Sequence, residues 1–541
     1  MKKIDLKRYG SALEHGHAHE EDHDLYSRRS FLGKMGLLGG MGLMMGSIPI
    51  KALGMNKMLQ FFNDNPDNER ILVLIQLKGG NDGLNTIVPM YDYDFYRNQR
   101  PSLGIPQNRL IQLGSELAMP DYMNGLYPMW QEGAMKVIHS VGYQDQNLSH
   151  FRSTDIWTSA SEASEEVTTG WLGRMLTAEY PDMFSNPPAM PPAIQIGAEG
   201  NRVFSGNLIN LAVSVTDPEE LFEIAQNGQL YPTNDLPASC YGEELRYMRL
   251  IANNTFTYAE AIQEAYNRSA TAIDYEANTN IGEQLAIVAR LIKGNLGTKL
   301  YLVSIDGFDT HAEQEGEHPM LMADIANSVS RFFEDLKAQN MDSHVLAMTF
   351  SEFGRRIEEN GSNGTDHGSA APVLLFGPGV NGSGFVGTRP DLRNPDAFGN
   401  LAYHTDFKSI YATVLQDWMC LDAVSVDSIM GASYPRIDNL ILACGESPNV
   451  GGAPLPDFVH EVRYGSAGVA YLFYNLTADS RVRIDLFTVD GRSLGTIHDA
   501  DMTTGTHQIT LNGLRRRLGS GQYAYRIEAQ GQADSKLFAI N

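Results

Sequence analysis

The sequence predicts a doubly wound α/β domain with a mostly parallel central sheet, followed by a small C-terminal antiparallel β-sandwich. Three apolar runs of strand length, Ile71–Leu77, Leu300–Ile305 and Val345–Phe350, have no polar alternation. This pattern is typical of strands that are buried on both faces, as in parallel sheets. Apolar residues at helical spacing over residues 244–295 indicate helices that cover such a sheet.

Length and composition describe a folded protein of more than one domain. The chain has 541 residues, of which 43% are hydrophobic and 20% charged. A formal net charge of −24 argues against nucleic acid as a partner, because phosphate backbones are bound by clustered Lys and Arg. The three cysteines, Cys240, Cys420 and Cys444, form no zinc-ligand or disulfide-framework spacing, so buried free thiols are predicted.

Composition divides the chain into four predicted parts. Residues 1–54 form a leader, residues 65–445 the α/β domain, residues 446–461 a Pro- and Gly-rich linker, and residues 462–541 the β-sandwich. Within the α/β domain, the prolines and short segments of residues 180–240 predict an insertion or cap over the sheet.

The leader resembles a twin-arginine export signal. Arg28 and Arg29 precede Phe31-Leu32 and a weakly apolar, Gly- and Met-rich stretch from Met35 to Ile50. A membrane anchor is the alternative, but the glycines and Pro49 make this stretch a poor spanning helix. The signal predicts an exported protein located in the periplasm, on the outer-membrane surface or outside the cell, with no membrane span after maturation.

Polar residues follow the predicted strands where each strand ends, which is the edge at which doubly wound sheets place their chemistry. In an extended stretch Asp309 and His311 point to the same side, as two ligands of one ion must. Asp82 has an alternative role as a helix cap or turn residue, and Asp366-His367 has one as a surface turn. Five such positions together indicate metal chemistry: Asp82, Asp309/His311, Glu352, Asp366/His367 and His404.

Ser149 is the candidate nucleophile. It precedes a predicted helix that runs through Trp157, so its hydroxyl lies at the positive end of the helix dipole. Ordinary N-capping is the alternative role. The glycine-rich loops lack the Gly-Lys-Ser/Thr ending of a phosphate-binding loop, so nucleotide binding is not predicted.

Six stretches in the same order resemble an exported family catalogued as domain of unknown function 1501, which is grouped with sulfatases and alkaline phosphatases. The resemblance covers about residues 70–425. The matching stretches are Lys78–Thr86, Ser149–Phe151, Gly170–Arg174, Gly307–His311, Ser351–Arg355 and Gly364–Gly368.

The resemblance implies an alkaline phosphatase-like three-layer α/β sandwich with two divalent metal ions (Zn, Mg, Ca or Mn) beside a Ser or Thr nucleophile. Ser149 would be that nucleophile, and Arg355 or Arg152 would neutralise substrate charge. The Asp-Thr-His spacing is shorter than in the wider superfamily, which leaves His318 or Asp306 as alternative ligands. By position, the ligands would be Asp82, Asp366 and His367 for one ion, and Asp309, His311 and His404 for the other.

The tail resembles a type IX secretion sorting domain, notably at Val489–Arg492 and Gly519–Tyr523. A carbohydrate-binding sandwich is the alternative. Such domains usually expose aromatic residues, whereas the Phe and Tyr residues of this tail alternate as core residues do. The tail and the leader together predict export machinery as partners, through the twin-arginine and type IX routes.

The function predicted from these features is an exported metal-dependent hydrolase of small-molecule or polymer-borne phosphate or sulfate esters. The alternative is a non-catalytic surface protein that keeps the hydrolase fold for binding or scaffolding. None of the metal ligands implied by the resemblance lies in Ser351–Arg355. The remaining interpretation is that this segment supports the ligands.

Overall fold

The structure is a computed structural model that describes residues 70–540 apart from short gaps. The residues not described within this range are 182, 184–186, 198–199, 208, 227–229, 238, 276–279, 439, 442–443, 445–457, 466–468, 477–478, 489–491, 503–504, 511–520 and 530–531. The chain divides into two compact units between residues 448 and 449. The predicted leader and most of the predicted linker lie outside the described residues.

The first unit is built on a mixed, mostly parallel sheet in the order β13-β5-β12-β9-β1-β8-β6-β7, with β14 also paired to β5. Its strands are β1 (Ile71–Leu77), β5 (Met135–Gly142), β6 (Ala193–Ile196), β7 (Ala212–Val215), β8 (Leu300–Ile305), β9 (Val345–Phe350), β12 (Ala371–Phe376), β13 (Gly384–Val386) and β14 (Thr405–Asp406). The smaller pairings use β2 (Val88–Pro89), β3 (Leu110–Gln112), β4 (Leu117–Pro120), β10 (Gly354–Arg355) and β11 (His367–Gly368).

The sheet confirms the predicted fold class. Every residue of β1 and β9 is buried, so other elements cover both faces of the sheet. The strand β12 is antiparallel to both β5 and β9, which leaves β5 running in the same direction as β9, β1 and β8. The carboxyl ends of these four strands therefore lie along one edge, where Leu77 is in register with Ile305 and Gln76 with Phe350.

The helices of this unit follow the strands in the alternation that the sequence predicts. Their bounds are α1 (Tyr93–Gln99), α2 (Tyr127–Gln131), α3 (His150–Ser159), α4 (Trp171–Glu179), α5 (Pro218–Gln226), α6 (Cys240–Arg268), α7 (Asn280–Lys293), α8 (Gln314–Lys337), α9 (Phe407–Thr413) and α10 (Ala423–Met430). After α9 the chain continues as a π-helix, Val414–Trp418, where the indole of Trp418 donates a 3.0 Å hydrogen bond to the carbonyl of Ile71. This bond fixes the end of the unit to the start of β1.

The prediction that residues 180–240 form an insertion over the sheet is wrong for two segments. Both β6 and β7 belong to the central sheet, where β6 pairs in parallel with β8. Each has only four residues, and Gln195 and Ser214 interrupt their apolar character. Strands this short lack the continuous apolar run that revealed β1, β8 and β9.

The prediction of free thiols is wrong for two cysteines, because Cys420 and Cys444 form a disulfide with a Cα–Cα distance of 5.2 Å. They are 24 residues apart, and only the folded chain brings them together. Cys420 directly follows the π-helix and Met419, and it has a positive φ of 64°.

Removal of this disulfide is expected to lower the free energy of unfolding by about 3 kcal/mol, because the unfolded chain regains the freedom of the closed loop. The test is denaturant unfolding of the double variant Cys420→Ala/Cys444→Ala. Cys240→Ala is the control, and it should change stability much less. Equal stability of the double variant and the parent in the absence of reductant would contradict this expectation.

The second unit is the antiparallel β-sandwich that the alternating tail predicts. Its two sheets have the orders β15-β16-β19 and β18-β17-β20-β21, and one cluster of buried side chains at alternate positions, such as Val482, Ile484 and Leu486, joins them. Its first strand begins before the predicted boundary at residue 462. The strands are β15 (Phe458–Gly465), β16 (Val469–Leu476), β17 (Ser480–Thr488), β18 (Ser493–Met502), β19 (Gly505–Thr510), β20 (Gly521–Ala529) and β21 (Gln532–Ile540).

Over the part of the chain that the structure describes, none of the helices has the length and apolar character required to span a bilayer.

Candidate metal centre

Four side chains converge at the carboxyl edge of the sheet: His150, Asp309, His311 and His367. His150 is the first residue of α3, which follows β5, and Asp309 and His311 follow β8. His367 lies in the short strand β11, which pairs with β10 so that His367 is opposite Arg355. Three separate segments of the chain therefore contribute to one cluster.

The converging atoms are imidazole Nε2 nitrogens and the carboxylate of Asp309. Nε2 of His311 lies 3.1 Å from Oδ1 of Asp309 and 2.8 Å from Nε2 of His367, which is itself 3.3 Å from the same oxygen. Nε2 of His150 lies 3.4 Å from Oδ2 of Asp309, an ion-pair distance longer than a good hydrogen bond. Ligand atoms of His150, Asp309 and His367 all lie within 4.8 Å of one another.

The outward nitrogen of each imidazole is held by an oxygen. Nδ1 of His367 lies 2.8 Å from the carbonyl oxygen of Leu148, Nδ1 of His150 lies 2.9 Å from Oε1 of Glu352, and Nδ1 of His311 lies 3.2 Å from Oδ1 of Asp366. A protonated Nδ1 that donates to such an oxygen leaves the Nε2 lone pair available to a metal ion.

This donor set fits a metal ion. Two imidazole lone pairs that face each other at the distance between His311 and His367 repel, so a proton or a cation must lie between them. Ligands of a tetrahedral zinc ion are separated by roughly 3.3 Å, given metal–ligand distances of about 2.0–2.2 Å. The three distances among Asp309, His311 and His367 are close to this value. Three imidazoles and one carboxylate form a nitrogen-rich donor set, whereas Ca²⁺ and Mg²⁺ prefer oxygen ligands.

Burial and mutual contacts shift the acidities of the cluster. Burial alone would raise the pKa of Asp309, but the neighbouring imidazoles of His150, His311 and His367 hold this pKa far below its usual range. Burial opposes protonation of His150, yet Asp309 and Glu352 raise its pKa to about 9. Burial lowers the pKa of His367 to about 4, so this ring is neutral near pH 7. His150 is protonated at that pH in the absence of metal, so it would release its Nε2 proton when an ion binds.

Asp82 lies outside the cluster, in a buried ion pair. Its Oδ2 accepts from Nη1 of Arg100 at 2.6 Å and from the side-chain amide of Gln314, and the side chains of Asp82 and Arg100 are both fully buried. Its Oδ1 accepts from the backbone N–H of Leu84 at 3.2 Å, so Asp82 is also a turn residue. Burial alone would raise the pKa of Asp82, but Arg100 outweighs burial and lowers it.

Other predicted or alternative ligands take different positions. The carboxylate of Asp366 contacts Nδ1 of His311, on the side of the ring away from the cluster. The hydrogen bond from that ring lowers the pKa of Asp366 to about 2. His404 is exposed, and its backbone N–H donates to Ser140 at 2.8 Å. Asp306 is exposed beside Lys78, while His318 is buried with Nε2 3.1 Å from Oδ1 of Asn81. The structure thus brings together Asp309, His311, Asp366 and His367 from the two predicted ligand sets.

Ser149 is the N-cap residue of α3, directly before His150. Its hydroxyl makes no capping bond, and its buried Oγ has no hydrogen-bond partner among the described residues. A buried hydroxyl usually finds a partner, so this one is available to a ligand. The N-terminus of α3 adds a favourable dipole for an anion or an alkoxide.

The two predicted arginines are engaged with the protein. The guanidinium of Arg355 is buried and donates to the carbonyls of Gly80, Thr365 and Phe308 at 2.8–2.9 Å, and to Oδ1 of Asp309 at 2.9 Å. Arg152 donates to the carbonyl of Ala163 at 3.0 Å and to that of Glu165. Arg355 therefore orients a ligand of the cluster and crosslinks the loops around it.

His150 is a functional residue that the sequence does not reveal, because no local pattern shows whether His150 or its neighbour Ser149 faces the cluster. The position of Glu352 at a strand end is predicted, but its contact with His150 is not, because it joins residues 202 positions apart. An imidazole in the first turn of a helix that follows a central strand was the available signal.

Acid is expected to destabilise the protein through His318. Burial lowers the pKa of this imidazole to about 4, whereas an unfolded histidine titrates near 6.5. The unfolded state therefore binds more protons between these two values, so stability falls by about 3 kcal/mol as pH decreases through this window. Above the window the contribution of His318 is constant. Denaturant unfolding at successive pH values should show a weaker slope for His318→Gln than for the control His404→Gln. Identical slopes would contradict this assignment.

Comparison with known proteins identifies the family. The family described as Protein of unknown function (DUF1501) matches residues 133–419, which is more than half of the chain and includes all four cluster residues. The chain belongs to the DUF1501 family. No protein with a curated description matches it.

Solved structures that resemble this DUF1501 protein do so distantly. The PsFucS1 sulfatase from Pseudoalteromonas sp. is 12% identical with a TM-score of 0.30, covering 87% of this chain and 90% of that one. A protein in the alkaline phosphatase superfamily from Vibrio parahaemolyticus is 10% identical with a TM-score of 0.28 and 81% coverage of both chains. Alkaline phosphatase from the Antarctic bacterium TAB5 is 10% identical with a TM-score of 0.24, covering 59% of this chain and 94% of that one.

Proposed function

We propose that this DUF1501 protein is an exported metal-dependent hydrolase of phosphate or sulfate esters. The observation that carries the proposal is the convergence of three imidazole Nε2 atoms on one carboxylate, with each outward Nδ1 held by an oxygen. Structural ion pairs alone do not require three histidines anchored in this way, whereas metal ligands commonly are.

In this proposal His150, Asp309, His311 and His367 hold a single ion, in place of the two ions implied by the sequence resemblance. A bound divalent ion supplies Lewis acidity, which polarises a phosphoryl or sulfuryl oxygen. Arg355 keeps the carboxylate of Asp309 in place through Nη2. Glu352, Asp366 and the carbonyl of Leu148 hold the proton of each ring on Nδ1, so each Nε2 can act as a donor.

Ser149 is the proposed nucleophile. Its Oγ is buried, has no partner among the described residues and lies at the N-terminus of α3, beside the backbone of His150. Attack by Oγ would form an Oγ–P or Oγ–S bond while the bond to the ester oxygen breaks, and the proton lost from the Ser149 hydroxyl would leave with the alcohol. Water would then cleave the Ser149 ester, which restores the hydroxyl and releases phosphate or sulfate. The helix dipole favours the alkoxide over the neutral hydroxyl.

Export is part of the proposal. The disulfide Cys420–Cys444 supports an oxidising compartment, because such bonds are rare in the cytosol. The twin-arginine leader in residues 1–54 lies outside the described residues, and the β-sandwich tail is compatible with the proposed type IX route. The proposed location is the periplasm, the outer-membrane surface or the exterior of the cell.

The test is turnover of an aryl phosphate and an aryl sulfate by the full chain, loaded with Zn²⁺ or Mn²⁺ or stripped by a chelator. The proposal expects turnover only with metal, and a loss of at least about a hundredfold in Ser149→Ala. Ser239→Ala is the control, since Ser239 is also the N-cap residue of a helix, although its hydroxyl accepts a capping bond from the backbone N–H of Gly242, and it does not belong to the cluster. Metal-independent turnover, or equal activity of the two variants, would contradict the proposal.

A non-catalytic binding protein is the second candidate, and one observation favours it. Arg355 and Arg152 both donate to backbone carbonyls, so neither is free to neutralise the charge of a phosphate or sulfate. This candidate expects a stoichiometric metal ion and no turnover of either ester. Turnover that is lost in Ser149→Ala would rule it out.

A further inference from the structure

The segment Ser351–Arg355 supplies none of the four cluster ligands, yet three of its side chains, those of Glu352, Phe353 and Arg355, contact them. Its residues follow β9 at the same sheet edge, and all five are buried. The ring centroid of Phe353 lies 4.3 Å from that of His367 and 4.8 Å from that of His150. Arg355 contacts Asp309, as described above.

Glu352 holds the most consequential position in this segment. Its side chain is 4% exposed, and its Oε1 accepts from two groups at once: Nδ1 of His150 at 2.9 Å and the backbone N–H of Gly79 at 2.8 Å. Its backbone carbonyl also accepts from the hydroxyl of Ser153, one turn along α3. Glu352 thus connects the ends of β9 and β1 to the first turn of α3.

The backbone at Gly79 passes close to the segment that carries Asp309. Gly79 has a φ of 122°, and a Cβ atom there would lie 2.3 Å from the backbone nitrogen of Asp309. Only glycine lets this loop pass so close to the segment that carries Asp309. The same loop directs its N–H at Glu352, so one carboxylate oxygen fixes His150 relative to the strand ends that carry Asp309.

A buried carboxylate bound to Nδ1 determines how His150 can act. The Glu352 oxygen accepts the Nδ1 proton, which leaves Nε2 on the side of Asp309 and His367. If the His150 ring flipped, it would lose this charge-assisted hydrogen bond. The buried carboxylate oxygen of Glu352 would then face a ring carbon atom.

We propose that Glu352 is the positioning residue of the metal centre: it fixes the tautomer and ring orientation of His150, so that Nε2 of His150 completes a ligand set otherwise formed by Asp309, His311 and His367. This inference rests on the proposed function only for the presence of the metal. The contact with His150 can be tested without metal.

The first measurement is Co²⁺ binding to the full chain, followed by the visible absorption of the bound ion. Glu352→Ala is expected to weaken Co²⁺ affinity by about 10–100-fold and to change the spectrum, as for other supporting partners of histidine ligands. Glu352→Gln keeps an oxygen for Nδ1–H and should lose less. Glu359→Gln is the control, since the Glu359 carboxylate likewise accepts two hydrogen bonds, in its case from the backbone N–H groups of Ser102 and Leu103 and not from a histidine.

The second measurement is ¹⁵N NMR of the histidines in chelator-treated protein, with the His150 signals assigned through His150→Asn. An exchange-protected Nδ1 proton is expected for His150 in the parent and in Glu359→Gln, and its loss is expected in Glu352→Ala. A folded Glu352→Ala variant that keeps this proton, or whose Co²⁺ affinity is within twofold of the parent, would overturn the proposal. Failure of the parent to bind Co²⁺, with the proton present, would instead count against the metal function alone.

Discussion

Replacement of His367 by alanine is expected to abolish stoichiometric metal binding, with a loss of affinity of more than about a hundredfold. Nε2 of His367 lies 2.8 Å from Nε2 of His311 and 3.3 Å from Oδ1 of Asp309, so its removal takes away one of the converging ligand atoms. The measurement is metal content after dialysis against a weak chelator, determined by mass spectrometry.

His404→Ala is the control for this prediction, because the sequence resemblance assigns His404 to a metal and the structure places it on the surface. It should keep the metal content of the parent. Equal losses in the two variants would contradict the four-residue cluster, as would unchanged metal content in His367→Ala.

Replacement of Arg100 by alanine is expected to reduce the free energy of unfolding by about 3–5 kcal/mol, since it leaves the carboxylate of Asp82 buried without its cation. The guanidinium also donates to the carbonyls of Ile357 and Arg356 at 2.8 Å and 2.7 Å. Denaturant unfolding measures the loss, and Asp82→Asn introduced into the Arg100→Ala protein should restore part of it.

Arg109→Ala provides the comparison, because Arg109 pairs with Asp121 on the surface and such pairs contribute about 1 kcal/mol or less. If Asp82 has the structural role described here, Asp82→Asn alone should keep the metal content of the parent while lowering stability. A metal-free but stable Asp82→Asn protein would show that Asp82 is a ligand after all.

The fold was largely predictable because its central strands carry a local signal. The runs Ile71–Leu77, Leu300–Ile305 and Val345–Phe350 are buried on both faces, and burial on both faces requires uninterrupted apolar sequence. The strands β6 and β7 gave no such signal, as each has four residues at one side of the sheet. The disulfide gave none either, because its cysteines meet only through tertiary structure.

For the candidate site, the sequence predicts which polar residues lie at the ends of strands, but not which of them converge. Asp309 and His311 could be placed together because a single residue, Thr310, separates them, and His367 because it follows a short glycine-flanked loop. The role of Asp82 depends on Arg100, and that of Arg355 on carbonyls at Gly80 and Phe308, which only folding brings near. Local sequence shows which groups reach the edge of the sheet, whereas their partners decide which ones remain available to a metal.

The segment Ser351–Arg355 illustrates the same point. Its polar residues resemble an active-site motif, and the contacts show that Glu352 and Arg355 hold His150 and Asp309 in place. Residues that orient ligands share the chemistry of the ligands themselves, so sequence alone does not separate the two roles.

Anomalous X-ray diffraction from crystals of the protein grown with Zn²⁺, recorded on both sides of the zinc absorption edge, tests the central claim most directly. The account predicts one strong peak per chain within coordination distance of Nε2 of His150, His311 and His367 and of the carboxylate of Asp309. No peak at this position, or peaks beside Asp82 and His404 instead, would contradict it.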